Sequence, residues 1–198
     1  MALYAFDGTW NVDQEVDEQD TNVRKFFDIS AEPDERKLYT AGVGSRFGVI
    51  GRTIGGLFGA GGRDRVEDAY KHLMRIWTPG EAVDIVGFSR GAALALDFAN
   101  EVVEKKRRPR APQPAIRFVG LFDTVASFGL PNIGPDRDHD FNFGHRLSLP
   151  RGDVQHCAHA LALDERRQSF GATRVAARMR CGSVAVTRTW VAAMPTPS

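Results

Sequence analysis

The chain has 198 residues, with 26 basic against 25 acidic side chains and a formal net charge of +1, so it has length for one domain with its own core and carries neither a nucleic-acid footprint nor a polyacidic tail. Its two cysteines, Cys157 and Cys181, form no Cys-x-x-Cys pair and suggest neither a disulfide scaffold nor a metal site. The opening residues Met1 to Asp7 lack the basic start and apolar length of a secretory signal, no run reaches the ~18 apolar residues of a membrane span, and a soluble protein made in the cytoplasm is expected.

Residues 3–6 are a short apolar run ending at Asp7-Gly8, the pattern of a buried strand leaving into a loop. Residues 11–20 are acidic and polar, hence loop; Thr21 then caps a helix through Asp28, and residues 37–43 read as a second strand. Residues 42–62 are dense in glycine, with Phe47, Val49, Ile50, Ile54, Leu57 and Phe58 among them. We read this stretch as an irregular, closely packed connection, with a mobile lid over a lipid site as the sharper alternative; glycine specifies backbone freedom, not function. The Gly55-x-x-x-Gly59 spacing marks no membrane helix without a long apolar host, and no Gly-Lys-Ser/Thr closes a phosphate loop.

Between residues 63 and 77, Val66, Ala69, Tyr70, Leu73, Met74 and Trp77 recur at spacings of three and four, which predicts an amphipathic helix stopped by Pro79-Gly80. Residues 82–88 form an apolar strand, and residues 91–104 a second helix with the small Ala92, Ala93 and Ala95 at its start. The Lys105-Lys106-Arg107-Arg108 cluster with Arg110, broken by Pro109 and Pro112, is a solvated helix end, where cations suit the dipole. Residues 116–122 are another buried strand, ending at Asp123 and followed by a Pro/Gly/Asp-rich connection to about Gly152. This alternation predicts an α/β fold, a mostly parallel sheet with helices on both faces.

Gly87-Phe88-Ser89-Arg90-Gly91 reads Gly-x-Ser-x-Gly where an apolar strand passes into a helix. A nucleophile elbow holds its serine on a tight, strained turn there, and the flanking positions must be small so that strand and helix backbones can approach. Gly87, Gly91 and Ala92 supply that. The helix N-terminus beneath offers backbone N–H groups to a developing anion, the Arg90 N–H among them. The plainer alternative is that Ser89 only caps the helix.

A serine hydroxyl needs a base oriented by an acid. Asp123, at a later strand end and followed by Thr124-Val125, suits the chain order Ser, Asp, His; its plainer role is to bond the next turn. Among the later histidines, His139 and His145 lie in a polar loop. His159, within residues 157–167, is best placed by order to be the base, and equally reads as a supporting or core histidine on an apolar helix.

Several segments together resemble the catalytic domain of type VI secretion phospholipase effectors and related bacterial α/β-hydrolase-like proteins. They are Phe6-Asp7-Gly8-Thr9-Trp10-Asn11, Asp20-Thr21-Asn22-Val23, Gly42-Val43-Gly44, residues 87–92, Phe122-Asp123-Thr124-Val125 and residues 159–167, in the expected order. The resemblance implies an α/β-hydrolase-like fold and a Ser-Asp-His lipase or phospholipase activity with Ser89 and Asp123 as two members. It also implies that the Asp-Gly-Thr loop lies near the nucleophile, so that the Gly8 and Thr9 backbone completes the oxyanion hole. A phosphatase of the haloacid-dehalogenase type would need an aspartate where Ala5 stands.

The departure comes at the end. The family carries a motif of the form Trp-Phe-x-Gly-x-His-Ser-Asp-Val-Gly-Gly-Gly, whose histidine is the expected base, and nothing like it is present here. From Gly171 the chain also has no carboxylate. Back-translating residues 181–197 with degenerate codons, and reading each triplet from the third base of the preceding codon, allows Trp-Phe-x-Gly-x-His-Ser-Asp-Val, then a glycine fixed by Trp190-Val191, then Gly-Gly. We therefore expect a frameshift between about Phe170 and Cys181. On this view residues 1–170 are an α/β-hydrolase-like catalytic domain truncated at its C-terminus, and residues 171–198 an out-of-frame tail.

The expected function is hydrolysis of lipid esters through an acyl-enzyme on Ser89, without metal or organic cofactor. The alternative is a truncated, inactive remnant or binding module lacking its catalytic histidine; a peptidase or acyltransferase shares the same elbow. The resemblance implies a lipid or phospholipid substrate, transient membrane contact, secretion-apparatus and immunity partners and export by a type VI system from a cytoplasmic origin, with no nucleic-acid partner.

Overall fold

In chain order the elements are β1 (Ala2–Phe6), α1 (Asn22–Ile29), a 3-10 turn (Asp34–Arg36), β2 (Lys37–Thr40), α2 (Ile54–Ile76), β3 (Ala82–Phe88), α3 (Arg90–Lys106), β4 (Ala115–Phe122), β5 (Val154–Ala162) and β6 (Gly182–Val186). The computed structural model describes residues 1–8, 20–42, 54–106, 114–124, 148–149, 153–162 and 182–186. Its six strands are all parallel, in the order β2-β1-β3-β4-β5-β6. Crossovers between parallel strands are right-handed, so when the winding direction reverses the connecting helix must change faces. The chain obeys this: α1, between β1 and β2, packs through Val23, Phe26 and Phe27 with Leu3, Ala5, Val86 and Phe88. Helices α2 and α3 lie on the other face, with Val66, Leu73, Leu96 and Phe98 against Tyr4, Phe6, Ile85 and Leu121. Helices therefore cover both faces of a doubly wound α/β sheet, and the reversal falls between β1 and β3.

The larger core centres on Phe98, whose ring lies 4.7 Å from that of Tyr4 and 5.5 Å from that of Phe6. Tyr4 OH shares a hydrogen bond with His72 Nδ1 at 3.0 Å, and burial raises the phenol pKa. The β3–β4 register shifts between Val83 and Asp84, and Arg117 there donates from Nε and Nη2 to the buried Asp84 carboxylate at 2.9 and 2.5 Å. At the opposite end of the sheet from the strand C-termini, the Met1 ammonium lies 3.3 Å from Glu32, and Arg36 pairs with Glu81.

Three expectations need correction. Helix α2 starts at Ile54, so residues 54–62 are helical rather than irregular. Glycine costs a helix roughly 1 kcal/mol relative to alanine, yet the helix runs through Gly61 and the buried Gly62. His159 stands on the strand β5 and not on an apolar helix; main-chain pairing to β4 decides this, with His159 opposite Leu121. Cys157, also on β5, is disulfide-bonded. In addition, β6 lies within the tail 171–198 and pairs with β5 from Gly182 opposite Ala158 to Val186 opposite Ala162.

Candidate functional site

In a doubly wound sheet the strands' carboxyl ends open a crevice where the winding reverses. Here that point is flanked by Asp7 and Gly8 after β1 and by Ser89 after β3. Ser89 has φ 54°, in the left-handed region that L-residues avoid. Its N–H donates to Phe122 O at 2.8 Å and its carbonyl accepts from Ala92 N at 3.1 Å, so the turn is tied to β4 on one side and opens α3 on the other. The flanking glycines are required by contact. A Cβ on Gly87 would stand 2.7 Å from Ala92 Cα and 2.8 Å from Ala95 Cβ. On Gly91 it would stand 2.5 Å from the Asp7 carbonyl oxygen and closer still to that of Phe6. Phe88 is buried on the α1 face and registers with Phe122.

Asp123 follows the adjacent strand and repeats the geometry: φ 45°, with its N–H donating to Ala160 O at 2.7 Å. Ser89 and Asp123 are each 6% exposed. Two strained, non-glycine turns thus sit side by side at the ends of paired strands, a signature of sites where surrounding structure holds an unfavourable backbone for use. Arg90, buried at the first position of α3, has its guanidinium drawn down to about 10 by desolvation. Its backbone N–H lies at the positive end of the helix dipole.

The His159 ring shares a hydrogen bond through Nε2 with Thr124 Oγ1, beside Asp123, at 3.1 Å, and burial lowers its pKa. Among the described residues no hydrogen bond joins it to Ser89 or Asp123, and β4 stands between β5 and the strand that carries Ser89. Together with the Asp123 N–H bond to Ala160, the Thr124–His159 bond instead pins the Asp123 turn to β5 at two points. Thr9, His139 and His145 lie outside the described residues, as does the stretch 163–181.

The Gly8 amide, expected to face an oxyanion, donates instead to Asp7 Oδ1 at 2.6 Å. Asp7 is 4% exposed, and its Oδ2 accepts from Thr21 Oγ1 at 2.6 Å and from Tyr39 OH at 2.5 Å. Thr21 Oγ1 also accepts from Arg24 N at 3.0 Å, capping α1 as expected. The sequence reading identified the Asp-Gly-Thr and Asp-Thr-Asn-Val segments but missed Tyr39 and the carboxylate that joins them. Among the described residues no group of three His, Cys, Asp or Glu side chains could hold a metal ion. No described helix is long and apolar enough to cross a membrane.

The sheet order, the helices on both faces and the strand-to-helix turn at the switch point define a domain of the α/β-hydrolase kind. The family of type VI secretion phospholipase effectors, Tle1-like, catalytic domain, matches residues 3–105 and 97–187, and the chain belongs to it. An uncharacterized protein of Saccharomyces cerevisiae is 28% identical over 143 aligned residues, 52% of this chain and 20% of that protein. Two solved structures share the fold. One is an uncharacterized protein from Pseudomonas aeruginosa (TM-score 0.61, 22% identity, 88% of this chain and 36% of that one). The other is the Tle1 effector bound to the VgrG spike of the type 6 secretion system (TM-score 0.59, 21% identity, 96% of this chain and 51% of that one). The chain thus spans about half or less of each of these proteins.

Proposed function

We propose that this chain is a serine ester hydrolase acting on phospholipid or related lipid esters, with Ser89 as nucleophile. The observation that carries the reading is the left-handed Ser89 between β3 and α3, flanked by glycines that admit no side chain. In this reading Ser89 Oγ attacks the acyl carbonyl and gives its proton to a histidine oriented by Asp123. The carbonyl oxygen, now negative, is held by the Arg90 N–H and, because the Gly8 amide is engaged with Asp7, by the Thr9 N–H. Collapse expels the alcohol and leaves an acyl-serine, which water cleaves by the same base. The histidine is the one encoded in the second reading frame downstream of residue 181; the family supports export by a type VI apparatus, with a spike partner of the kind the Tle1 effector has. A serine-reactive fluorophosphonate probe on the frame-restored chain tests the nucleophile: labelling that disappears in Ser89→Ala supports it, and an unlabelled frame-restored chain overturns it. Resequencing downstream of codon 165 tests the frame; without a His-Ser-Asp-Val-Gly run in the other frame, the frameshift is wrong.

A second reading has its own observation. His159 is hydrogen-bonded to Thr124, and among the described residues no hydrogen bond joins it to Ser89, which supports an inactive remnant that keeps the fold and the nucleophile turn without a base. Removal of one triad member leaves only residual catalysis from oxyanion binding. Absence of probe labelling favours this remnant.

A further inference from the structure

The Asp7 carboxylate and the Thr21 hydroxyl, from two of the family segments, have no part in the chemistry proposed above, yet the fold brings them together with Tyr39 at the switch point. Asp7 follows β1, Thr21 caps α1 and Tyr39 lies in β2, so the ends of three elements adjoining the crevice converge on one buried carboxylate. Its two oxygens take the Gly8 N–H, the Thr21 hydroxyl and the Tyr39 hydroxyl at 2.5 to 2.6 Å. Short, charge-assisted bonds of this kind fix direction as well as distance. The Asp7 main chain is also in contact with the nucleophile turn, since its carbonyl oxygen occupies the space that a Gly91 side chain would need.

We propose that Asp7 is a positioning residue for the hydrolytic centre: by holding Gly8, Thr21 and Tyr39 at once it sets the chain leaving β1 against the Ser89 turn. The proposal rests on the hydrolase reading. It accounts for a buried carboxylate beside the crevice that binds groups on three sides of it, among the described residues. The Gly8 peptide is turned toward Asp7 and the Asp7 carbonyl oxygen lies against Gly91, so the bonds of the carboxylate hold the backbone that packs on the Ser89 turn. Displacement of that turn by about 1 Å would lower reactivity on the order of 100-fold.

The test is the rate of fluorophosphonate labelling of the frame-restored chain across probe concentrations, which separates probe binding from the bond-forming step, with the final labelled fraction read by intact mass. Asp7→Asn is nearly isosteric but puts an NH2 donor in place of one of the two acceptor oxygens, so that either the Gly8 N–H or the two hydroxyls meet a donor, and Tyr39→Phe removes one donor from the half-buried side. The expected result is a bond-forming rate at least tenfold lower, on the scale of small misplacement, in Asp7→Asn and a smaller fall in Tyr39→Phe, with probe binding and final labelled fraction unchanged. A structural role alone would lower the labelled fraction and leave the rate of the remainder intact, and that outcome overturns the proposal. Should Asp7→Asn not fold, an unchanged rate in folded Tyr39→Phe overturns it equally. Absence of labelling in the unsubstituted frame-restored chain, or labelling that survives Ser89→Ala, sinks the hydrolase reading itself and this role with it.

Discussion

Replacing Gly91 by alanine probes the closest contact at the switch point. The added methyl would stand 2.5 Å from the Asp7 carbonyl oxygen and nearer to that of Phe6, both main-chain atoms. No side chain can swing aside, and β1 is paired on both edges, to β2 and to β3. Overpacking a dense interior costs ~1–3 kcal/mol, and an immovable partner argues for about 3 kcal/mol, or roughly 6–12 °C of melting temperature in a domain of this size. Gly61→Ala is the matched control, because a Cβ there meets nothing within 4 Å inside α2; it should stabilise by about 0.5–1 kcal/mol. Thermal unfolding followed by circular dichroism, with urea titration to check the slope, measures both. If Gly91→Ala melts within about 2 °C of the parent chain, a shift too small for the expected cost, the close-approach argument is wrong.

Two further outcomes follow from the same geometry. At Ser89, with φ 54°, glycine should be more stable than alanine by about 1 kcal/mol, the reverse of their order in a helix; paired melts of Ser89→Gly and Ser89→Ala decide it. Hydrogen bonds from the Thr78 side chain and amide, with Arg36 adding, hold Glu81 below its ordinary 4.5, at about 2. A depressed carboxyl stabilises the fold above its unfolded value and loses that contribution as pH falls from about 4.5 through about 2. The melting-temperature gap between the parent chain and Glu81→Gln should therefore be full near pH 6 and close toward pH 2; a gap that persists unchanged in acid contradicts the assignment.

Much of the fold was legible because parallel strands buried on both faces read as continuous apolar runs. Residues 3–6, 82–88 and 116–122 became β1, β3 and β4 within one residue at each end. The second strand stopped at Thr40 rather than 43, and helix α3 ran from Arg90 to Lys106 against the expected 91–104. The Ser89 turn was legible for the same local reason: two small residues and a strand-to-helix change fall within five positions. Strand β5 was hidden by its own side chains, since Val154–Ala162 mixes alanine with polar residues and its pairing partner is remote in sequence. The Asp7 cluster was hidden by distance. Its partners are 14 and 32 residues away, and each has an ordinary local role, Thr21 as a cap and Tyr39 as a strand residue.

Ser89, Asp123 and Asp7 each leave a different strand, and Ser89 and Asp123 are laced by main-chain bonds to the next strand along the sheet. None of these groups has its working orientation in an isolated hairpin or helix pair, because parallel neighbours close only through long crossovers. The arrangement of these three groups is therefore a property of the assembled sheet: no local segment can preserve it, and it exists only when β1, β3, β4 and β5 have come into register.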